Sequence, residues 1–425
     1  MHLYLFLLVV VSLSCGSLPP TDASLAQASL ATLCMVSTLI LLCHIAGRIC
    51  AQQIHNEDVD PLIGNELIER QMTAFRWLGL GIVVLCLAGF GLAKATEQLP
   101  ILNHSFFLQA LILLAPGLTI AIGTWSAEQY YRSLTGLSEK KLTIHLSCLW
   151  KRFRGTVAWL AVPILLFLGM TDVIGTLPID DGVAVGITLA GMTLFLLLGL
   201  PWLIRHLLKT SRLDVLTETW IDQIMTVAGL RRTQILRWHT GNRSFNAMVT
   251  GFIPPLRTLL ISDRLLDELP QEQVAMVVLH EAAHLRRFHV PLRMLTIVPA
   301  WLLGGFTTRL AGDHPWGIIA GTIVAIALTL IALRIAAFRT ELDADLHACR
   351  IAVNMADRIE GVPATYQQAS TALSSALMRI TLEHPTARKA SWLHPGVSQR
   401  IGSLQRHDAP QTPSNGVAST VLHQF

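Results

Sequence analysis

Two histidines and a glutamate form an HExxH sequence that starts at His280 and ends at His284. The mostly apolar residues around it, 274–285, predict a helix. Positions four apart lie on one face of a helix, so both imidazoles can bind one metal ion with Glu281 beside it. Neutral imidazoles suit Zn²⁺, and a catalytic zinc also needs a third protein ligand and an open position for water. The spacing therefore predicts a zinc hydrolase in which Glu281 is the general base.

The composition predicts a multi-pass α-helical membrane protein. Of the 425 residues, 52% are hydrophobic and only 14% are charged, whereas an ordinary soluble domain has about 25% charged residues. The formal net charge of +4 is too small to indicate a nucleic-acid partner. The lysines and arginines lie beside apolar segments, where membrane orientation explains them better. The expected partners are therefore the lipid bilayer and a peptide or membrane-protein substrate.

Seven apolar segments approach the length of about 20 residues that crosses the hydrocarbon of a bilayer. They cover residues 28–49, 75–95, 106–125, 156–174, 183–203, 295–310 and 316–338. A further apolar run occupies residues 1–18, and its core has the length of a signal-peptide core but lacks a basic flank. It can be a signal peptide or a span. Residues 1–206 are thus predicted to be a membrane domain of five or six spans.

Lysine and arginine are unevenly distributed among the loops. They occur in the loops at 50–74 and 126–155 and in the stretch after residue 203, whereas the loops at 96–105 and 175–182 have none. Because basic loops stay on the cytoplasmic side, this alternation places the HExxH region in the cytoplasm. We therefore expect an integral protein of a bacterial inner membrane with a cytoplasmic catalytic domain.

The two spans after the motif form a predicted transmembrane hairpin, residues 293–338, so the chain returns to the side of the HExxH helix. The first residues that it delivers include Glu341 and, one turn later, Asp345. Glu341 can complete a His₂Glu zinc site with His280 and His284. Asp345 can hydrogen-bond a ligand histidine and fix its orientation. An acidic cluster at the end of a membrane helix is often only a solvated face, so this assignment depends on the HExxH sequence.

His289 follows His284 by five residues, which rotates it by about 140° from the ligand face of a continuous helix. The sequence therefore predicts an interface histidine there and no third histidine ligand. Upstream, residues 234–239 and 257–263 have strand patterns bounded by turn residues. They predict a small antiparallel sheet, and in zincin proteases the exposed edge strand of such a sheet binds an extended peptide.

Five short motifs follow one another in residues 210–401. They are Asn246-Ala247 with Gly251, Arg257-Thr258 through Asp263 to Leu266, His280-Glu281-x-x-His284, Glu341-x-x-Ala344-Asp345, and His394-Pro395 with Arg400-Ile401. In this order they resemble the motifs of the HtpX and CAAX prenyl protease family of integral-membrane zinc metallopeptidases. The resemblance implies a zincin-like α+β protease domain, mostly helical, interrupted by a membrane hairpin.

The resemblance also implies roles for individual residues. One zinc ion per chain would bind to His280, His284 and Glu341, Glu281 would activate the water, and Asp345 would support the ligands. Asn246 and Ala247 would line the substrate strand. His394 and Arg400 would reach the site and steady the tetrahedral intermediate or the ligands. The implied function is zinc-dependent cleavage of peptide bonds.

The predicted domains follow from these assignments. After the membrane domain come a first catalytic segment (207–292), the hairpin, a second catalytic segment (339–401) and a flexible tail (402–425). Two alternatives to a general endopeptidase stay open. One is a BlaR-like membrane signalling protease, although no outer loop is long enough for a sensor. The other is a transporter or scaffold with structural histidines. Zinc content and casein cleavage with and without a chelator distinguish them.

Overall fold

The structure, a computed structural model, describes residues 2–17, 23–95, 98–241, 245–310, 312, 315–382 and 388–408. The chain forms two compact units. The first comprises Met1–Lys209 and Ala300–Ala327, and the second comprises Thr210–Pro299 and Leu328–Phe425. All residues of the predicted site belong to the second unit.

The N-terminal region of the first unit consists of helices. They are α1 (His2–Ser14), α2 (Leu25–His55), α3 (Pro61–Val84), α4 (Leu92–Ala95), α5 (Pro100–Asn103), α6 (Phe106–Leu134), α7 (Leu142–Phe153), α8 (Trp159–Gly175), α9 (Asp181–Leu194) and α10 (Leu200–Leu207). Short π-helical turns follow α3, α7 and α9. The apolar helix α1 buries Leu5 and Leu8 in a cluster with Leu114 and Trp125 of α6, so this first run packs within the unit.

Six helices in the described residues are long and apolar enough to cross a membrane. They are Leu25–His55, Ile63–Gly89, Phe106–Leu134, Asp181–Leu207, His289–Leu310 and Gly317–Met355. The predicted segment at 156–174 corresponds to the second half of a pair bent by 59°, Leu142–Ala158 and Leu160–Gly175. The chain is an integral multi-pass membrane protein. The predicted span at 75–95 is shifted from the observed helix, Ile63–Gly89, which begins and ends earlier. The helix ends before Gly91, whose φ is +71°.

Charged groups lie among the apolar helices of the first unit. The Glu128 carboxylate of α6 pairs with Arg76 of α3 and with Arg152 of α7. Such mutual pairing offsets part of the cost of placing charges in an apolar environment.

All seven cysteines are free thiols. Five of them are buried, where a free thiol packs as a small hydrophobic residue.

The hairpin after the motif consists of α15 (Ile297–Leu310) and α16 (Pro315–Met355). The two helices approach closely where both carry small residues. A Cβ atom added at Gly304 would lie 2.5 Å from the Cβ of Ala325, and one at Gly321 would lie 1.9 Å from Thr308 Oγ1. Small residues at this spacing allow membrane helices to pack with their backbones in contact.

The second unit contains a small sheet and a layer of helices. Its remaining elements are β1 (Thr210–Ser211), α11 (Val215–Val227), β2 (Gln234–Trp238), β3 (Ala247–Thr250), β4 (Thr258–Ser262), α12 (Asp263–Glu268), α13 (Gln271–Arg286), α14 (His289–Leu295), α17 (Tyr366–Ile380) and α18 (Val397–Asp408). Residues 402–408 of the predicted tail therefore continue a helix, and 409–425 lie outside the described residues.

The sheet has the strand order β1-β2-β4-β3. Strands β1 and β2 pair antiparallel, as do β3 and β4, but β2 and β4 are parallel. The prediction of a purely antiparallel sheet was wrong in this respect. The segment between β2 and β4 is long enough to form β3 as an edge strand, so β4 returns beside β2 in the same direction. Among the described residues, strand β3 thereby has β4 as its one neighbour.

Helix α13 packs against the sheet and against α11 and α17. Its apolar residues Val274, Val278, Leu279 and Ala282 are buried in one hydrophobic cluster. Helix α12 before it is capped at its N-terminus by Ser262, whose hydroxyl accepts a hydrogen bond from the N–H of Leu265. A helix with one face buried this completely holds its remaining side chains in a fixed direction. This packing positions the HExxH residues.

Candidate metal centre

The two motif histidines point to the same place from helix α13. His280 is buried and His284 is half-buried. Their Nε2 atoms lie 3.2 Å apart, because residues four positions apart share a helix face. The predicted pairing of these two side chains is thus present in the geometry.

Helix α16 brings the Glu341 carboxylate to the two imidazoles. Its Oε2 atom lies 3.6 Å from His280 Nε2, and its Oε1 atom lies 3.4 Å from His284 Nε2. One ligand atom from each of the three side chains lies within 4.8 Å of the others. Among the described residues, this is the group of histidine, cysteine and acidic side chains that could hold a metal ion.

The three side chains fit a zinc ion in both chemistry and spacing. Tetrahedral zinc with bonds of about 2.0–2.1 Å to nitrogen places its ligand atoms about 3.4 Å apart, close to the separations seen here. His280 Nδ1 lies 2.9 Å from the Asp345 carboxylate, so in a neutral ring the proton belongs on Nδ1 and Nε2 can offer its lone pair to a cation. A set of converging lone pairs and a carboxylate is chemically suited to a cation.

Asp345 and Arg400 form a buried ion pair behind His280. The Arg400 guanidinium donates hydrogen bonds of 2.7 Å from Nε and 2.6 Å from Nη2 to the two carboxylate oxygens. Asp345 is fully buried. The carboxylate is therefore satisfied on one side by Arg400 and faces His280 on the other. Arg400 also lies 3.9 Å from Glu341.

Two further side chains contact Glu341. The exposed His394 lies 3.3 Å from Oε2 through its Nδ1 atom. Arg293 of α14 donates a hydrogen bond of 2.9 Å to Oε1 and another of 2.8 Å to the Thr340 hydroxyl. Sequence reasoning missed Arg293, because it belongs to none of the motifs and stands next to an apolar span.

His289 lies beside His284 rather than rotated away from it. It is buried, and its Nδ1 atom is 3.0 Å from His284 Nδ1. The predicted rotation of 140° assumed a continuous helix, but α13 ends at Arg286. Phe288 then takes a left-handed conformation with φ 52° and ψ 36°, and α14 starts in a new direction. The break turns His289 back towards His284.

The remaining predicted residues lie along the edge strand β3. The Glu281 carboxyl faces the backbone of Val249 in this strand. Asn246 is exposed and precedes the strand. Its backbone N–H donates a hydrogen bond to the Ser262 hydroxyl, and its carbonyl oxygen accepts one from the Ser262 N–H. Ala247 begins the strand and is half-buried. The structure thus places Glu281 between the two histidines and β3.

Burial and neighbouring charges shift the pKa values of the motif residues in different directions. Burial raises the pKa of Glu281 to about 7 and lowers the pKa of His284 to about 4. Burial also acts to lower the pKa of His280, but hydrogen bonding to Asp345 and Glu341 outweighs it and raises that pKa to about 9. Glu281 therefore titrates near neutral pH, as a general base requires.

Most of the second unit is similar to a known peptidase family. Residues 216–408 match the family described as "Peptidase family M48". The curated proteins contain no match to the chain. A solved structure titled "Crystal Structure of S. mikatae Ste24p" is similar, with a TM-score of 0.49, 15% identity, and coverage of 91% of this chain and 100% of that chain. A similarity at this level carries no information about substrate.

The M48 match contains all five motifs and most of the second unit, including α13, the Glu341 region of α16 and α18. The resemblance to the HtpX and CAAX prenyl protease family is confirmed at the level of the family. Residues 216–408 of this multi-pass membrane protein form a metallopeptidase domain of family M48.

Proposed function

We propose that the chain is a zinc metalloendopeptidase that hydrolyses peptide bonds at the cytoplasmic face of the membrane. The observation that carries the proposal is the convergence of His280, His284 and Glu341 within 4.8 Å, inside a domain of a peptidase family. These three residues would hold one zinc ion per chain. Asp345 would support His280.

The residues around this donor set supply the proton transfers. When bound, zinc would acidify a water molecule and polarise the carbonyl of the scissile bond. Glu281 would take the proton of the attacking water, since its pKa of about 7 leaves much of it ionised near neutral pH. It would then give that proton to the leaving amine. This exchange returns Glu281 to its starting state.

The edge strand β3 is the proposed substrate-binding element. Within the part of the chain that the structure describes, strand β3 pairs with β4 alone. Its other edge would therefore be available to an extended peptide, which would add as a further strand. Asn246 and Ala247 stand at the start of this strand. A peptide bound there would pass Glu281, because the Glu281 carboxyl faces Val249.

His394 and Arg400 would have different roles. His394 is 61% exposed on its side chain and lies 3.3 Å from Glu341, so it can reach a substrate and donate a hydrogen bond to the tetrahedral intermediate. Arg400 is held by both oxygens of Asp345. Its proposed role is therefore to steady Asp345 and, through it, His280.

The length of α16 supports a site outside the hydrocarbon. Glu341 lies 26 residues after the helix start at Pro315 (341 − 315), or about 39 Å along the axis at about 1.5 Å per residue. The hydrocarbon is about 30 Å thick. Together with the basic loops, this supports a cytoplasmic site. We further propose that the membrane is a bacterial inner membrane. We also propose that the catalytic domain consists of two segments, 207–292 and 339–401, separated by the membrane hairpin 293–338.

The direct test is Glu281→Gln in the full-length protein, measured by casein cleavage and by zinc per mole of protein. The variant should keep zinc and lose activity by about 100-fold or more, the range of general acid–base catalysis. Glu272→Gln, at an exposed position in the same helix, is the matched control and should cleave normally. Unchanged proteolysis by Glu281→Gln would reject the assignment.

Zinc content separates the alternatives. A chelator should abolish casein cleavage by the unaltered protein, and zinc should restore it. A purified protein that binds no zinc would favour a transporter or scaffold. Zinc binding with cleavage of one partner protein only would favour a signalling protease.

A further inference from the structure

A hydrogen-bonded series of three side chains begins at the His284 ring and leads away from the proposed zinc site. His284 Nδ1 lies 3.0 Å from His289 Nδ1. His289 Nε2 lies 3.0 Å from Asp343 Oδ2. The contacts join the end of α13, the start of α14 and the middle of α16.

The hydrogen-bonding rules fix the direction of this series. An ionised carboxylate only accepts, so Asp343 receives the N–H of His289 Nε2. In a neutral imidazole the other nitrogen then carries a lone pair, so His289 Nδ1 accepts a hydrogen bond from His284 Nδ1–H. The Nε2 atom of His284 is left with its lone pair. That lone pair faces His280 and Glu341, where a zinc ligand is required.

The backbone is shaped to make these contacts. Phe288 has φ 52°, a left-handed conformation that is strained for a residue other than glycine. Its side chain is 64% exposed, so packing of the ring does not explain the strain. The conformation does bring His289, which is 3% exposed, against His284.

A second group holds the far end of the series in place. Arg287 donates hydrogen bonds of 3.0 Å and 3.4 Å to the oxygens of Asp343. The Asp343 carboxylate is thus held ionised between Arg287 and His289. The donor and acceptor roles assigned above require an ionised carboxylate at this position, because it must accept the hydrogen bond from His289 Nε2.

We propose that His289 and Asp343 are positioning residues that hold His284 in the tautomer and orientation of a zinc ligand. The proposal rests on the zinc site proposed above. It gives His284 the same kind of support that Asp345 gives His280. Each of the two imidazole ligands then has its own carboxylate, one directly and one through a second imidazole.

The test measures zinc affinity by competition with a chromophoric chelator on the full-length protein. His289→Phe removes the acceptor and should weaken zinc binding by about 10–100-fold, the usual effect of losing such a partner. His289→Asn places an amide oxygen near the position of Nδ1 and should restore the affinity to within a few-fold. Arg286→Gln, at an exposed position of α13, is the control.

Two results would overturn the proposal. One is zinc affinity of His289→Phe equal to that of the unaltered protein. The other is equal weakening by Phe and Asn, which would assign the effect to packing. If His289→Phe does not fold, Asp343→Leu and Asp343→Asn decide in the same way, since only Asn retains an acceptor. Failure of the unaltered protein to bind zinc would instead reject the proposed function.

Discussion

The buried pair of Asp345 and Arg400 shows how single residues determine the site. Asp345 has no exposed surface, and its charge is balanced by two hydrogen bonds from the Arg400 guanidinium. The pKa of Arg400 is raised, because the effect of Asp345 outweighs the opposing effect of burial. Removing one partner from a buried pair leaves an uncompensated charge and typically costs about 3–5 kcal/mol.

We therefore predict that Arg400→Ala lowers the unfolding temperature of the protein even in a chelator, when zinc cannot contribute. Arg400→Lys keeps the charge but not the two parallel hydrogen bonds, so its loss should be smaller. Thermal unfolding in detergent measures both. Arg406→Ala, at an exposed position of α18, is the control. An Arg400→Ala protein as stable as the control would contradict the prediction.

Among the elements, the turn between β3 and β4 depends on one glycine. Gly251 has φ +84°, and a Cβ atom there would lie 2.6 Å from the carbonyl oxygen of Leu256. A side chain therefore meets both backbone strain and a steric clash. The turn holds β3 beside β4, and β3 is the strand proposed to bind substrate.

Gly251→Ala should reduce casein cleavage more strongly than zinc binding, because the zinc ligands lie on α13 and α16. Gly229→Ala provides the matched control. Gly229 has φ +83° but no atom within 4 Å of the added Cβ, so it should show only the backbone cost of about 1–2 kcal/mol. Equal effects of the two substitutions on cleavage would argue against β3 as the substrate strand.

The elements also show what the sequence could predict. The HExxH spacing predicted that His280 and His284 lie together, and the two spans of the hairpin predicted that Glu341 lies on the same side of the membrane. Both inferences depend on regular helix geometry. The rotation of His289 away from His284 was mispredicted for the same reason, since the left-handed conformation of Phe288 has no sequence signal. The parallel pairing of β2 with β4 depends on contacts between distant segments, which periodicity does not report.

For the whole molecule, zinc would join two helices that are far apart in the sequence. His280 and His284 belong to α13, and Glu341 belongs to α16. A ligand that binds only the folded protein stabilises it by about 2.7 kcal/mol at 100 times its Kd. Zinc binding and the stability of the second unit should therefore be linked.

Zinc should raise the unfolding temperature of the unaltered protein, and a chelator should reverse the increase. Glu341→Ala should contain little zinc and unfold at a temperature that does not depend on added zinc. Glu360→Ala, at an exposed position, should behave like the unaltered protein. An equal response to zinc in Glu341→Ala would place the ion elsewhere.

The free cysteines have a practical consequence for attaching spectroscopic labels. Five thiols are buried, Cys148 is half-buried, and Cys34 is exposed on the apolar helix α2. A charged, water-soluble maleimide would therefore find few native targets. New thiols can be introduced into the loops one at a time without first deleting the native ones. Their reactivity from either side of a sealed vesicle would then report the sidedness of each loop.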